Sequence, residues 1–403
     1  MSQRQQSKSQ TQPSKSLAQT TLSDLQETTV LILGAGPAGL SLGYELSQRQ
    51  IPYLILDKEP IVGSTFAKMT DSTTYGPWLN NSLAGSPKSW SQKFRRTTRP
   101  EYAGYLVTYA KEHALNLRLG ARVTRVIHDG AFLVETEQGR YRAPILVNAT
   151  GQYSSPHRPD FPGQELCRIP RIHSAEYRSP DTVRSLAGNT HPKVLIVGSG
   201  LSAGEIMQEL HQAGCEVQLS YRERIDTWPS PLEEALLSPW TYLWENLSLR
   251  LGLSRPSNLR PRLRRGTQWN LLRTHQVVSH PEIARLEPEE VQFLDGARDS
   301  YDVLILATGY RPALTHLKPM ITGAPRVEGL ASVDVPDLFF LGLPGSRTFR
   351  SEFLRGIRED AEILAEELQS RASSLGSQMV VTSMSEGPVD DLDEASTELE
   401  FQS

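Results

Sequence analysis

Two glycine-rich fingerprints constrain the fold of this chain of 403 residues more than any other feature of its sequence. They stand about 160 positions apart and read Gly34-x-Gly36-x-x-Gly39 and Gly198-x-Gly200-x-x-Ala203. Each follows a short apolar run rich in β-branched residues, and each opens a stretch with helical spacing. This is the pattern of a βαβ unit that binds a dinucleotide. Two such units in one chain predict two nucleotides held face to face, and hence an enzyme that moves electrons between them.

Each glycine of the first fingerprint has a separate predicted role. Gly34 permits the tight turn after the strand, Gly36 lets the backbone approach a pyrophosphate, and Gly39 lets the helix pack on the strand. The helix predicted from Pro37 to about Arg49 offers unpaired N–H groups and a positive dipole end to the phosphates. We therefore predict cofactor contacts at this turn, at Gly34, Gly36, Pro37, Ala38 and Gly39.

The residue after the second strand of each unit differs between the two copies. Asp57 stands 18 positions past Gly39, where an acidic side chain accepts hydrogen bonds from a ribose 2′-hydroxyl and repels a 2′-phosphate. Arg222 follows the equivalent strand of the second copy, where a guanidinium suits the 2′-phosphate of NADP; Arg224 could share this role. These residues predict FAD at the first site and NADPH at the second, although either could be an ordinary charge at a strand end. The second site is predicted to include Gly198, Gly200, Leu201, Ser202 and Ala203.

An Ala-Thr-Gly motif also occurs twice, each time after an apolar strand and near the end of the segment that its fingerprint opens. The first occupies positions 149–151 and the second positions 307–309. Small residues there let the chain cross close to a bound cofactor. We predict cofactor contacts at Thr150, Gly151, Thr308, Gly309 and Tyr310.

Composition excludes several classes of protein. The net charge of −4 gives no basic footprint for nucleic acid. The chain has two cysteines, Cys167 and Cys215, and no C-x-x-C, which argues against a dithiol reductase and a structural zinc site. No cluster of metal ligands is evident, so no metal is predicted. No apolar run approaches the roughly 18 residues of a membrane span, and we expect a cytoplasmic protein.

The order of the motifs predicts an α/β fold with two Rossmann-like dinucleotide-binding domains, the NADPH domain inserted into the FAD domain. The FAD-binding domain comprises residues 27–163 and 313–371, and the NADPH-binding domain comprises 164–312. Strands are expected over 122–127, 132–136 and 336–342, and helices over 100–110 and 351–370. The polar segment 1–26 and the acidic tail 372–403 are expected to be disordered.

A stretch rich in Trp and Leu, 228–275, interrupts the second domain and ends in a run of arginines. It contains Trp228, Trp240, Trp244 and Trp269, then Arg260, Arg262, Arg264 and Arg265. It could line a substrate cavity or meet a partner subunit. Alternatively, it is a local helical insertion that packs its own small core and exposes its arginines to solvent.

The chain resembles the flavin-containing monooxygenases, particularly the soluble bacterial kind, and more loosely the Baeyer–Villiger monooxygenases and other two-dinucleotide-binding flavoproteins. The resemblance covers about 27–370 and rests on the two fingerprints and on Ala-Thr-Gly-Tyr at 307–310. The family's linker motif, F-x-G-x-x-x-H-x-x-x-Y, is matched at His173 and Tyr177, whereas Cys167 and Ile169 replace its Phe and Gly. The resemblance implies that His173 positions the cofactor and the hinge, and Tyr177 is also predicted to contact the cofactor. The other reading of His173 is a hydrogen-bonded structural residue.

The resemblance also implies the chemistry and further site residues. In this family NADPH passes a hydride to FAD, oxygen adds at flavin C4a to give a hydroperoxide, and a nucleophilic nitrogen or sulfur of a small molecule, possibly aromatic in this case, is oxygenated. An Asn near C4a helps to hold that species, which points to Asn80 or Asn81; turn chemistry is the alternative explanation for this pair. The segment 63–66 resembles the Gly-Gly-x-Trp beside the flavin. The remaining predicted FAD contacts are Lys58, Ser64, Thr65, Phe66 and Val123.

Three functions are therefore open from the sequence. The first is an FAD- and NADPH-dependent monooxygenase, acting on a small molecule with molecular oxygen. The second is an oxidoreductase of the same fold that passes electrons to another acceptor, an alternative that the incomplete linker motif supports. The third is a binding or sensing protein that retains its cofactors without turnover. A homodimer is an open expectation.

Overall fold

The structure is a computed structural model that describes residues 25–68, 74–86, 90–93, 95–222, 227–228, 263–318 and 320–385, with isolated residues between 233 and 251. The helices are numbered in chain order. They are α1 Pro37–Gln48, α2 Ser64–Ala67, α3 Trp78–Asn81, α4 Trp90–Lys93, α5 Arg99–Glu112, α6 Pro180–Ala187, α7 Leu201–Gln212, α8 Thr267–Arg273 and α9 Leu354–Ser385, with a 3₁₀ turn at Thr315–Leu317.

The strands form two mainly parallel sheets and several smaller ones. In chain order they are β1 Leu25–Glu27, β2 Val30–Leu33, β3 Tyr53–Leu56, β4 Thr74–Pro77, β5 Arg96–Thr98, β6 Leu117–Arg118, β7 Val123–His128, β8 Phe132–Thr136, β9 Gly139–Ala143, β10 Ile145–Asn148, β11 Arg171–His173, β12 Lys193–Val197, β13 Glu216–Ser220, β14 Thr227–Trp228, β15 Leu263–Arg264, β16 Val278–His280, β17 Ile283–Leu286, β18 Val291–Phe293, β19 Arg298–Asp299, β20 Val303–Leu306, β21 Val327–Glu328, β22 Ala331–Ser332 and β23 Leu338–Phe340.

The larger sheet has seven strands in the order β21-β22-β23-β10-β2-β3-β6, and the second has five in the order β11-β20-β12-β13-β16. In both sheets the strand before the fingerprint lies centrally, with the next strand of its βα unit on one side and the strand before Ala-Thr-Gly on the other. This is the strand order of a doubly wound dinucleotide-binding unit. The predicted α/β fold class is confirmed.

Each sheet is buried on both faces, and its central strand, β2 or β12, is apolar along all or nearly all of its length. In β2, Val30 and Ile32 face a core shared with α1 and α9, whereas Leu31 and Leu33 face the core beneath the β7–β9 sheet. In β12, Val194 and Ile196 face α7, and the alternate residues face the β17–β19 sheet. Two-sided burial explains why these strands appear in the sequence as continuous apolar runs.

The strands of the larger sheet come from both sides of the second sheet in the sequence. Strands β2, β3, β6 and β10 precede it, and β21, β22 and β23 follow it. The final helix, α9, then packs against α1 and so returns to the first fingerprint. In sequence order, the strands of the second sheet thus stand between two groups of strands of the larger sheet.

Both ends of the folded chain differ from the sequence prediction. Strand β1 begins at Leu25, inside the segment expected to be disordered, and pairs in parallel with β9. The last helix was expected to end near residue 370, but α9 continues to Ser385. Its extension contains Ala, Leu, Gln and Met, which favour helix, among the serines that made this stretch resemble a disordered tail. The acidic residues 390–394 lie outside the described part of the chain.

Candidate active site

The first fingerprint and the first Ala-Thr-Gly motif meet at the carboxyl edge of the seven-stranded sheet. Gly34 has a φ of +113°, and a Cβ on it would lie 2.5 Å from the carbonyl oxygen of Ala149. A Cβ on Gly39 would lie 1.9 Å from the carbonyl oxygen of Gly34, so α1 can approach the turn this closely only with glycine there. The small residues of both motifs therefore let three backbone segments pack against one another: the turn after β2, the start of α1 and the segment after β10.

The space beside Gly36 is open, because a Cβ placed on it would meet no atom within 4 Å. Gly36 is the N-cap of α1, with φ −85° and ψ −174°, extended backbone that other residues also adopt. The missing side chain thus leaves room at the positive end of α1, where a pyrophosphate would lie. This edge of the sheet fits a dinucleotide.

The carboxylate of Asp57 is held at the end of β3 by two backbone groups. One oxygen, Oδ2, accepts a hydrogen bond from the N–H of Ala35 at 2.6 Å, and Oδ1 accepts one from Glu59 at 2.9 Å. Burial raises the pKa of this carboxyl group, and the two hydrogen bonds oppose the rise. Asp57 therefore adjoins the glycine turn, as the prediction of a ribose contact requires.

The other residues predicted to contact FAD lie at different depths around this edge. Lys58 is exposed, and Val123 is half-buried at the start of β7. Ser64, Thr65 and Phe66 form α2, and the ring of Phe66 meets that of Tyr102 edge-on at 4.9 Å. Their contacts with FAD remain predictions.

Asn80 and Asn81 both lie on α3, which packs against α9. Asn81 is buried, and its carbonyl oxygen accepts a hydrogen bond from the Tyr102 hydroxyl at 3.1 Å. Asn80 is only half-buried. Of the two candidates, Asn80 therefore has the more accessible side chain.

The second fingerprint repeats the backbone geometry of the first. Gly198 has a φ of +128°, and a Cβ on it would lie 2.3 Å from the carbonyl oxygen of Ala307. Gly200 is the N-cap of α7 with φ −81° and ψ −178°, within a few degrees of Gly36. Leu201, Ser202 and Ala203 form the first turn of α7, and Ala203 is fully buried. The pattern Gly-x-Gly-x-x-small thus builds the same turn twice.

Basic side chains surround the second site where the 2′-phosphate is predicted. Arg222 follows β13, is largely exposed, and its Nε lies 2.8 Å from Oε1 of Glu282. Arg311 Nη2 lies 3.3 Å from Nε2 of His157. The pKa of His157 is lowered, first by burial and then by the charges of Arg311 and Arg222. These groups favour an anionic ligand here. Arg224 lies outside the described residues.

The segments that leave the two Ala-Thr-Gly motifs pair with each other. Arg311 N–H donates to the carbonyl of Ser155 at 3.0 Å, and Ala313 N–H donates to that of Gly151 at 3.1 Å. His157 N–H donates to the carbonyl of Gly309 at 2.9 Å, within an antiparallel arrangement. The carboxyl edges of the two sheets are therefore joined by a short ladder of hydrogen bonds.

The two threonines of these motifs reinforce the ladder reciprocally. The hydroxyl of Thr150, in the first motif, donates to the carbonyl of Ala313 at 3.0 Å. The hydroxyl of Thr308, in the second, donates to the carbonyl of His157 at 2.5 Å. Each threonine thus bonds to the segment that follows the other motif. No local sequence pattern marks this exchange, because the partners stand 163 and 151 positions apart.

His173 is fully buried at the end of β11, and both of its ring nitrogens are hydrogen-bonded. Nδ1 accepts a hydrogen bond from Ala175 N–H at 3.0 Å, so Nε2 carries the proton and donates to the carbonyl of Gly309 at 3.0 Å. Burial lowers the pKa of this imidazole, which favours the neutral form that makes both bonds. The geometry favours a positioning role beside the second Ala-Thr-Gly, not proton transfer.

Tyr177 lies apart from the carboxyl edge. Its side chain is fully buried in the core between β12 and α7, with Val183 and Met207. Its predicted cofactor contact therefore has no support in the geometry, and Tyr177 instead packs the second sheet. The spacing to His173 in the linker motif suggested a shared site, but the chain turns inward between the two residues.

One aromatic residue that the sequence analysis did not single out, Tyr153, joins two predicted site residues at the ladder. The ring of Tyr310 meets that of Tyr153 edge-on at 5.2 Å and that of His173 at 5.1 Å. Tyr153 is 46% exposed although it follows a buried strand by only a few residues, so its ring lies at the surface beside the ladder. Glu352 is half-buried, and burial raises the pKa of its carboxyl group. An aromatic residue two positions past Ala-Thr-Gly was the available signal for Tyr153.

A buried polar network behind the first Ala-Thr-Gly was also missed. Oδ1 of Asn148 accepts a hydrogen bond from Nε2 of His316 at 2.9 Å and lies 3.2 Å from the hydroxyl oxygen of Thr150, whose proton is donated to Ala313. Burial lowers the pKa of His316 to about 4. A polar residue ending an apolar strand could have signalled Asn148, but nothing local marks His316.

This network predicts a loss of stability in mild acid. The unfolded imidazole takes up a proton near pH 6.5, whereas His316 in the folded protein resists protonation until about pH 4. The free energy of unfolding should therefore fall as the pH drops between these values, by up to about 1.4 kcal/mol per pH unit from this group. Urea unfolding at pH 7 and pH 5 measures the loss. His316→Gln keeps a donor for Asn148 and should show a smaller loss; an equal loss in both proteins would contradict this assignment.

Two Rossmann-like units, joined edge to edge with room for a dinucleotide at the first, define an oxidoreductase that uses two nucleotide cofactors. A family model for pyridine nucleotide-disulphide oxidoreductases matches residues 31–342. The chain belongs to this family.

Named relatives narrow the class further. The chain is 27% identical to an uncharacterized CzcO-like oxidoreductase of Geobacillus kaustophilus, over 84% of this chain and 97% of that one. It is 26% identical to the indole-3-pyruvate monooxygenase YUCCA4 of Oryza sativa subsp. japonica, over 86% and 88%. The structure of a flavin-containing monooxygenase from Stenotrophomonas maltophilia superposes with a TM-score of 0.71 at 25% identity, covering 86% of this chain and 99% of that one.

These findings confirm the predicted resemblance to flavin-containing monooxygenases and the prediction of an enzyme, an oxidoreductase of the flavin and pyridine nucleotide type. The family's name refers to disulphide reduction, which uses a pair of neighbouring thiols. In this chain Cys167 and Cys215 are both free, and burial raises the pKa of the Cys215 thiol. Among the described residues, every helix is too short or too polar to span a membrane.

Proposed function

We propose that the protein is a monooxygenase that uses FAD and NADPH to oxygenate a nucleophilic nitrogen or sulfur of a small molecule. The observation that carries this proposal is the ladder between residues 151–157 and 309–313, which joins the carboxyl edges of the two sheets. A nicotinamide at one edge and a flavin at the other would meet there. When bound, FAD would accept a hydride and activate oxygen.

The residues of the chain would bind, orient and shield the cofactors. Gly36 and Asp57 would hold the pyrophosphate and ribose of FAD, and Arg222 would hold the 2′-phosphate of NADPH. His173 would fix the backbone at Gly309 beside the nicotinamide. The rings of Tyr153 and Tyr310 would shield the ladder region from water. A reactive oxygenating site requires that water is excluded.

The decisive experiment separates oxygen from other electron acceptors. The holoenzyme is reduced with NADPH without oxygen, then mixed with oxygen while the flavin absorbance is followed. We expect a transient species, distinct from reduced and oxidised flavin, that a nucleophilic amine or sulfide consumes. Direct return of the oxidised spectrum with release of peroxide would instead favour an oxidoreductase with another acceptor. Bound FAD without NADPH oxidation would favour a sensing protein.

Replacing Asn80 should shorten the life of this transient species. Asn80→Ala removes a polar side chain from α3, and losing one positioned hydrogen-bonding group from such a site costs roughly tenfold or more. The measurement is its decay rate in the same oxygen-mixing experiment. Asn116→Ala is the control, because Asn116 bonds to the carbonyl of Tyr53 at the opposite edge of the sheet. An unchanged decay rate in Asn80→Ala would remove Asn80 from the site.

A further inference from the structure

Three tyrosines of α5 bond through their hydroxyl groups to the end of α3 and the residues after it. We name them the tyrosine clamp: Tyr102, Tyr105 and Tyr109. The first donates to the carbonyl of Asn81 at 3.1 Å, and the third donates to the carbonyl of Ala84 at 2.8 Å. The second accepts a hydrogen bond from the N–H of Leu83 at 2.8 Å. Their spacing of three and four positions places all three on one side of the helix.

Packing alone does not require these hydroxyl groups. Tyr102 and Tyr109 are fully buried in the core beside the larger sheet, where the ring of a phenylalanine would fill the same space. Burial raises the pKa of Tyr105 and of Tyr109, so both hydroxyls keep their protons. A buried hydroxyl needs a hydrogen-bond partner, and all three have one within residues 81–84. The clamp therefore specifies where this segment lies.

Helix α3 depends on such contacts for its position. It has four residues, Trp78–Asn81, and an isolated helix this short is unstable in water. The bonds of the clamp follow the same order along α5 and along residues 81–84, so they fix both the position and the rotation of the segment. The ring of Trp78 also meets that of Tyr105 edge-on at 5.0 Å. Helix α9 adds one bond, from Arg358 to the carbonyl of Ser82 at 3.3 Å.

The same helix, α5, supports α2, the other short helix that carries a predicted flavin contact. The ring of Phe66 meets that of Tyr102 edge-on at 4.9 Å. Nη1 of Arg99, the first residue of α5, donates to the carbonyl of Ala67 at 2.6 Å. One helix thus holds both of these short segments in fixed positions relative to each other.

We propose that the tyrosine clamp positions Asn80 against the flavin. This inference rests on the proposed function and on the predicted role of Asn80, which lies on α3 directly before the clamped segment. A side chain that holds a reacting group must stay within hydrogen-bonding distance of it, and a displacement of about 1 Å costs much of its effect. The three tyrosines are positioning residues, because they act through α3 and not on the reacting atoms.

Replacing a clamp tyrosine with phenylalanine tests this proposal, because the ring stays and one hydroxyl is lost. In the oxygen-mixing experiment, Tyr105→Phe and Tyr109→Phe should each speed the decay of the transient species about two- to tenfold, as expected for the loss of one hydrogen bond. Flavin content and the rate of reduction by NADPH should stay unchanged. Tyr53→Phe is the matched control, because its hydroxyl bonds to the N–H of Asn116 at 3.3 Å at the opposite edge of the same sheet.

A double-mutant cycle separates positioning from a general loss of structure. If the clamp acts through Asn80, Tyr105→Phe should have no further effect on the decay rate in a protein that already carries Asn80→Ala. Additive effects of the two substitutions would overturn the proposal. So would a decay rate that neither Tyr105→Phe nor Tyr109→Phe changes.

The visible circular dichroism of the oxidised, bound flavin gives a second measurement that needs no oxygen. This signal depends on the groups packed around the flavin ring. We expect Asn80→Ala and Tyr105→Phe to change it in the same way, and Tyr53→Phe to leave it as in the wild type. If the wild type forms no transient species but these spectra differ as expected, the proposed function fails and the positioning of Asn80 stands. Identical spectra for all four proteins would overturn the positioning of Asn80.

Discussion

Replacing Gly36 with valine is expected to give a folded, colourless protein without bound FAD and without activity. The backbone at Gly36 tolerates a side chain, and a Cβ there meets no protein atom within 4 Å. The cost to the protein alone is limited to a poorer N-cap, on the order of 1 kcal/mol. The valine would occupy the space that the pyrophosphate needs, so binding should be lost while folding survives. Absorbance of the purified protein and its far-ultraviolet circular dichroism measure the two effects separately.

Two other glycines provide the controls for this result. Gly104→Val also enters open space, but in α5, so the protein should stay yellow. Gly39→Val should fail to fold, because its Cβ would lie 1.9 Å from the carbonyl oxygen of Gly34. A stoichiometric flavin in folded Gly36→Val would show that this edge is not the FAD site.

Replacing Arg222 with alanine is expected to weaken NADPH binding about 10- to 100-fold and to leave NADH binding nearly unchanged. A charge-assisted hydrogen bond to phosphate contributes roughly 1.5–3 kcal/mol, and NADH has no 2′-phosphate to make it. The measurement is the dissociation constant of each nucleotide for the oxidised, FAD-loaded protein. Direct binding avoids any dependence on the later chemistry.

Glu282 supplies a matched test in the opposite direction. Its carboxylate pairs with Arg222 at 2.8 Å and would repel a neighbouring phosphate. Glu282→Gln should therefore tighten NADPH binding by a few-fold at low salt, with little effect on NADH. If Arg222→Ala weakened both nucleotides alike, the 2′-phosphate would have to lie elsewhere, and Arg311 would be the next candidate.

The local units of the fold were predictable because their signals lie within a few residues. The helix predicted from Pro37 to about Arg49 ends at Gln48, and the helix predicted over 100–110 is α5, Arg99–Glu112. The strands predicted over 122–127 and 132–136 are β7 and β8, displaced by at most one residue. Apolar runs, glycine turns and helical spacing act locally, so they survive in a single sequence.

The contacts that join these units were not predictable, because their partners are far apart in the chain. Nothing near Thr150 shows that its hydroxyl reaches Ala313, and nothing near His316 shows that it reaches Asn148. Tyr177 is the opposite case. The spacing of the linker motif predicted a cofactor contact, whereas its side chain is fully buried in the core of the second sheet. The candidate site was thus predictable in its glycines and strand ends, and not in the side chains between them.

The crossed bonds of Thr150 and Thr308 hold the two sheets together at one place, the ladder between their carboxyl edges. Pulling the two sheets apart would break both threonine bonds and the ladder between 151–157 and 309–313 together. Rotation about an axis through that ladder would disturb far fewer of them. A rotation of one sheet relative to the other should therefore move atoms least at the ladder, where the flavin and nicotinamide rings would meet. It should move them most at the far ends of the two nucleotides. Such a pivot would let one cofactor exchange while the geometry at the centre is preserved.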